Sequence, residues 1–254
     1  LAKTYRKIQQ WDRWLGHFPG ESVLTAEKKF LPHLLAQYYG NQALLIGTPR
    51  QHVLLKSCDI PNQYLLTPLL SHGHHGNIRT IESELHELPV ASGSIDLVVL
   101  PHILEQIDNP RQLLSEACRI IKPEGHIIIC GFNPHSLWGL KKLWVKNDAA
   151  PWSGNFINAS SIKKWLGFAD FELMKQSTLL FRPPVNNESV FNKLKFLEWF
   201  GRKSHIPFGG VYTLVAQAKV IPLTPIKLRW QQKLYDVKLR SIGMPKPTVR
   251  NHPR

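Results

Sequence analysis

Two solid apolar runs constrain this chain most. Ile95–Leu100 follows a Gly93-Ser94 turn, and His126–Phe132 follows Lys122-Pro123-Glu124-Gly125. Neither alternates apolar with polar residues, so each predicts a strand covered on both faces, as in a parallel sheet. Between them Asp108-Asn109-Pro110 opens a helix in which Leu113, Leu114, Ala117, Ile120 and Ile121 recur with a period of about 3.6 residues. Strand, helix, strand in this order requires a crossover connection.

The alternation extends in both directions. Leu44-Leu45-Ile46 is a short strand ending at Gly47, after which Thr48 reads as an N-cap and Pro49 as the first helical position of a helix over 50–57. Further strands are expected at 63–67 and 77–82. A helix at 161–166 is closed by Gly167, and an amphipathic helix at 191–203 separates the last two strands, 171–181 and 211–219. The pattern predicts a doubly wound, mostly parallel α/β sheet, with a helical region before the first strand.

Composition supports a folded chain: 43% hydrophobic and 20% charged residues with a mean hydropathy of −0.20 exclude disorder and collagen. The net charge is +14, and residues 219–254 carry nine basic side chains against the single acid Asp236. The expected organisation is therefore one domain over 1–218 and a basic tail over 219–254. The tail suits nucleic acid or an acidic membrane surface, and equally a solvated extension. Lysines interleaved with tryptophan at Lys141, Lys142, Trp144 and Lys146 suit a polyanion with stackable bases, or lysines overlying buried rings. Cys58, Cys118 and Cys130 form no paired spacing, which points to a reducing, cytoplasmic setting. No apolar run approaches the roughly 20 residues of a membrane helix, and no signal peptide is visible at Leu1-Ala2-Lys3. His72, His74 and His75 lack a cysteine partner or helical spacing, so no metal site is expected.

In doubly wound sheets ligands bind beyond the carboxyl ends of the strands, near the first and fourth. Attention falls on residues following Ile46, Glu82, Leu100 and Phe132. The loop after the first strand keeps Gly47 alone, where a nucleotide loop has several glycines, and the position of an acid that would grip a ribose falls at Thr67-Pro68.

The stretch Glu84-Leu85-His86-Glu87-Leu88-Pro89, Ser94-Ile95-Asp96, Leu100-Pro101-His102, Asp108-Asn109-Pro110 and Lys122-Pro123-Glu124-Gly125 resembles the class I S-adenosylmethionine-dependent methyltransferases of the type 11 branch. The runs Gly131-Phe132-Asn133-Pro134-His135-Ser136-Leu137-Trp138-Gly139-Leu140, Arg182-Pro183-Pro184 and Phe208-Gly209-Gly210-Val211-Tyr212 resemble a YafS-like group of bacterial proteins. The resemblance implies a seven-stranded Rossmann-like sheet whose last two strands form an antiparallel hairpin. It implies S-adenosylmethionine as cofactor, held by Gly47, Thr48, Pro49, Glu84, Leu85, Pro101 and His102. Glu84 takes the position that accepts from the adenine amino group, a task suited to an acceptor-only carboxylate, or else it is a surface acid. His102 stands where a general base would act, or is a structural histidine. Asn133 and Trp138 are candidates to frame the pocket of an unidentified methyl acceptor, with a turn role for Asn133 as the plainer reading. Asn133-Pro134 follows the fifth strand, whereas the Asn-Pro-Pro-aromatic motif of amino-group methyltransferases follows the fourth. The alternative to an enzyme is a methyltransferase-fold module that binds nucleic acid or a protein partner through its basic surface. Sequence leaves the oligomeric state open.

Overall fold

The computed structural model describes residues 2–70, 76–145, 149–185, 187–203 and 208–220. The histidine cluster at 72–75, Lys146 and the basic stretch from Ile221 onward lie outside the described residues.

Two helices, α1 (Ala2–Leu15) and α2 (Gly20–Leu35), precede the sheet. Then follow β1 (Gln42–Ile46), a short 3-10 helix (Pro49–Leu54), β2 (Asn62–Thr67), β3 (Arg79–Glu82), β4 (Ile95–Pro101), α3 (Ile103–Gln106) and α4 (Pro110–Ile120). The rest comprises β5 (Ile121–Phe132), α5 (Leu137–Trp144), α6 (Ala159–Phe168), β6 (Phe171–Leu179), α7 (Glu188–Lys193), α8 (Phe196–Lys203) and β7 (Val211–Ala218). The seven strands lie in the order β3-β2-β1-β4-β5-β7-β6. The first five are parallel, and β7 inserts antiparallel between β5 and β6.

The period-2 geometry of the strands divides the core into two layers. Leu44, Ile46, Val98, Leu100, Ile127 and Ile129 face one way, against α4 and α6. Ala43, Leu45, Leu97, Val99, Ile128 and Cys130 face the other, against α2. Helix α1 joins both layers, because Ile8 packs in the first and Trp11 and Leu15 in the second.

Four elements differ in detail from expectation. Helix α6 runs through Gly167 to Phe168 and ends at Ala169, so Gly167 does not close it. The segment expected as a helix at 50–57 is a 3-10 helix over Pro49–Leu54 with a Thr48–Gln51 capping box. The stretch read as a turn at 122–125 lies within β5 as a bulge: Ile95 pairs with Ile121 but Leu97 pairs with His126, and Glu124 takes a left-handed φ of 64°. The helix expected over 191–203 divides into α7 and α8, although Arg182 touches both, its guanidinium lying 4.0 Å from the Phe191 ring centre. Phe191 packs edge-on to Phe18, with ring centroids 5.3 Å apart, whereas Glu198 pairs with Arg182 at 3.2 Å.

Candidate functional site

One half of the carboxyl rim is an open cleft of about 930 Å³. Its floor is Pro68 and the stretch from Glu82 to His86; its wall is Ile107, Asp108, Asn109 and Gln112; Thr4, Tyr5, Arg6 and Ile8 of α1 roof it. The roof is latched, since Asp108 accepts from Thr4 Oγ1 at 3.0 Å and from Lys7 Nζ at 3.1 Å. The Lys7 hydrogen bond holds the Asp108 carboxyl below the usual carboxylate range. Glu84 stands at this cleft with its side chain 61% exposed, 3.2 Å from His86 Nδ1, and Leu85 is buried beside it. Thr67, where a ribose acid would stand, is fully buried and its hydroxyl accepts from the Leu69 amide.

The other half is filled. Thr48 is extended and followed by Pro49, as an N-cap and first helical residue should be, and it is completely buried. Behind it Gln51, also fully buried, bridges the two strand ends. Its Oε1 accepts from the Thr48 amide at 3.0 Å, and its Nε2 donates to the Pro101 carbonyl at 3.0 Å. A Cβ added at Gly47 would lie 2.6 Å from Gln51 Oε1, so the open space a glycine leaves is occupied by this carboxamide. Helix α1 covers the loop as well: Asp12 accepts from the Arg50 amide at 3.0 Å and lies 3.5 Å from its guanidinium.

At the end of β4, His102 has a left-handed backbone (φ 57°), and its amide donates to the Cys130 carbonyl. That conformation turns the ring inward between two carboxylates. Nε2 lies 2.9 Å from Glu27 of α2 and Nδ1 3.0 Å from Glu105, with all three side chains sealed from solvent. Burial opposes the imidazolium, but the Glu27 charge and the hydrogen bonds to Glu105 and Glu27 push its pKa up to about 9. Burial also raises the Glu105 carboxyl, partly offset by His102 and by the Phe132 amide, which donates to Glu105 at 2.6 Å. Both imidazole nitrogens are thus engaged.

Beyond β5, Asn133 serves the turn. Its amide donates to Gly210, its Nδ2 to the Gly209 carbonyl, and its Oδ1 accepts from the His135 amide. Trp138 is fully buried, stacked on Phe132 at 5.3 Å, and its Nε1 donates to the Arg182 carbonyl at 2.9 Å. The sequence-read residues therefore fall into two groups, with Glu84 and Leu85 at the open cleft and Gly47, Thr48, Pro49, Pro101 and His102 at the filled half. Sequence reasoning expected a helical region before β1 but missed that α1 covers the rim, and it missed Gln51, Glu27 and Arg50. The spacing of Ile8, Trp11 and Leu15, which marks an inward helix face, was the available signal.

The open cleft, with an acceptor-only carboxylate and a buried apolar residue, has a donor set that fits a nucleoside, whereas the space beside Gly47 is taken up by Gln51. Residues 56–129 match the methyltransferase domain family of type 11. The uncharacterised protein YafS of Escherichia coli is 28% identical over 228 residues, covering 88% of this chain and 87% of that protein. A ubiquinone/menaquinone biosynthesis C-methyltransferase of Legionella pneumophila is 25% identical, over 62% of this chain and 67% of its own length. Among solved structures, an S-adenosylmethionine-dependent methyltransferase of Thermotoga maritima described as a possible histamine N-methyltransferase superposes with a TM-score of 0.60 at 18% identity, covering 86% of this chain and 99% of its own. A methyltransferase domain matched over residues 56–129, a relative 28% identical along most of its length and a fold shared with solved methyltransferases make this chain similar to the class I S-adenosylmethionine-dependent methyltransferases.

Proposed function

We propose that the cleft over Glu82–His86 holds the nucleoside of S-adenosylmethionine and that the methyl group is delivered toward the end of β4. The observation that carries this reading is the open cleft at the carboxyl rim, with Glu84 and Leu85 at its floor and α1 as its roof. The bound cofactor supplies an electrophilic methyl on a sulfonium. Glu84 accepts from the adenine amino group and Leu85 lines the ring. Asp108, tied to Thr4 and Lys7, holds the roof over the cleft. Gln51 releases Pro101 and Thr48 to admit the methionine moiety, and Gly47 then offers the space its missing side chain leaves.

His102 acts in this reading as a positioning residue. With carboxylates on both nitrogens it has no lone pair for an acceptor proton, and it pins α2 to the strand ends. Methyl transfer is an in-line displacement, so alignment of donor and acceptor carries most of the burden and a base is dispensable. Asn133 and Trp138 shape the acceptor side by fixing the turn that launches α5. The acceptor is a nucleophilic small molecule or macromolecule.

Calorimetric titration of the full chain with S-adenosylmethionine and S-adenosylhomocysteine tests the reading. Both are expected to bind one site with comparable affinity, since nucleoside contacts are shared. Failure of both to bind folded protein at millimolar concentration would overturn it and favour a non-catalytic module.

A further inference from the structure

We propose that α5 is a lipid-contacting element that lodges at the surface of an anionic phospholipid bilayer. The helix carries Leu137, Leu140, Leu143 and Trp144 at i, i+3, i+6 and i+7, which places them on one face. They are 48%, 54%, 76% and 84% exposed, rising toward the end of the helix. The inward face is fixed: Trp138 is sealed in the core, and a Cβ at Gly139 would run into the Pro134 carbonyl. The helix cannot roll to hide its leucines.

Charge selects the partner. Helix α5 contains no acid, and its last turn carries Lys141 and Lys142. Residues 137–203 hold eleven Lys and Arg against five Asp and Glu, on a chain whose net charge is +14. The two lysine heads are turned onto the Pro184 and Gly154 carbonyls, so among the described residues the tip of the helix presents Leu143 and Trp144. An aliphatic tip with a terminal tryptophan on a basic body matches an interfacial helix, whose apolar side enters the headgroup boundary while anionic lipids attract the body. Nucleic acid calls for the reverse arrangement, with cations and flat rings outermost. No described helix is long and apolar enough to cross a membrane, so the contact is peripheral. A second apolar point is tied to the same strip of backbone: the Arg182 carbonyl accepts from Trp138, its guanidinium pairs with Glu198 of α8, and Phe196 of α8 is exposed.

The test is co-sedimentation of the full chain with vesicles of equal parts phosphatidylglycerol and phosphatidylcholine, beside vesicles of phosphatidylcholine alone. Binding is expected to the first and to be weaker by about tenfold for the second. The double substitution Leu143→Asp, Trp144→Ser should lower binding to the anionic vesicles about tenfold, with S-adenosylhomocysteine affinity and melting temperature unchanged. Leu143→Lys separates insertion from attraction: it adds a positive charge yet should weaken binding. Any of four results would overturn the proposal. They are equal binding of wild type and double variant, tighter binding by Leu143→Lys, equal affinity for both vesicles, or no binding to either. A dimer that the double substitution dissociates, with no vesicle binding, would assign the stripe to a second copy of the chain.

Discussion

The two halves of the carboxyl rim are built from the same strand ends but differ in what occupies them. Around β3 the rim is an open cleft whose polar groups point outward, and Glu84 is largely exposed. Between β1, β4 and β5 the rim is packed shut by Gln51 and by His102 between Glu27 and Glu105. The open half is suited to recognition without much contribution to stability. The closed half contributes to stability and must rearrange locally before it admits a ligand. A substitution should therefore separate stability from binding according to the half in which it falls.

The largest expected effect breaks the closed half. His102→Ala leaves Glu27 and Glu105 facing each other without a cation and should cost about 3–5 kcal/mol of stability in a denaturant titration. Next is pH. The folded His102 pKa of about 9 lies above its ordinary value of 6.5, so its stabilisation is full below about 6.5 and is lost as pH rises through about 9. The raised Glu105 carboxyl has the same sign. Stability should fall by about 3 kcal/mol across that window, and the slope should flatten in His102→Gln. In the open half, Glu84→Ala should cost about 1.5 kcal/mol of S-adenosylhomocysteine affinity by calorimetry, with the melting temperature unmoved. The smallest effect sharpens the contrast at its border. Gln51→Ala removes the bridge from Thr48 to Pro101 and should tighten cofactor binding severalfold, by about 1 kcal/mol, because a closed conformation no longer competes.

The sheet was legible because β4 and β5 are unbroken apolar runs and their helix repeats cleanly, so local pattern and burial agree. Glu84 and Leu85 were legible as a motif after a strand, and both stand at the cleft. The filled half was not legible. The partners of His102 are three residues away and 75 residues away, and only the second, Glu27, reveals that the ring is enclosed. Gln51 sits at N3 of a short helix, where glutamine is a commonplace capping residue, and its reach to Pro101 depends on β1 and β4 being parallel neighbours in the sheet. Trp138 read as a pocket residue because an aromatic on the rim is ambiguous until its indole N–H is seen bonded to Arg182.

The roof of the cleft also fixes the order in which the site can come into being during synthesis. Thr4 and Lys7 meet Asp108 across 104 and 101 residues, and Asp12 meets Arg50 across 38. On a growing chain α1 is made before the sheet, yet its inward face has no complete partner until the end of β5 and α5 have emerged, because Trp11 meets Phe132 and Trp14 meets Trp138. The loop that must close is long, and its closing entropy falls due before the contacts reward it. The cleft accordingly forms only after its floor and wall have been made, although its roof precedes the sheet in the chain.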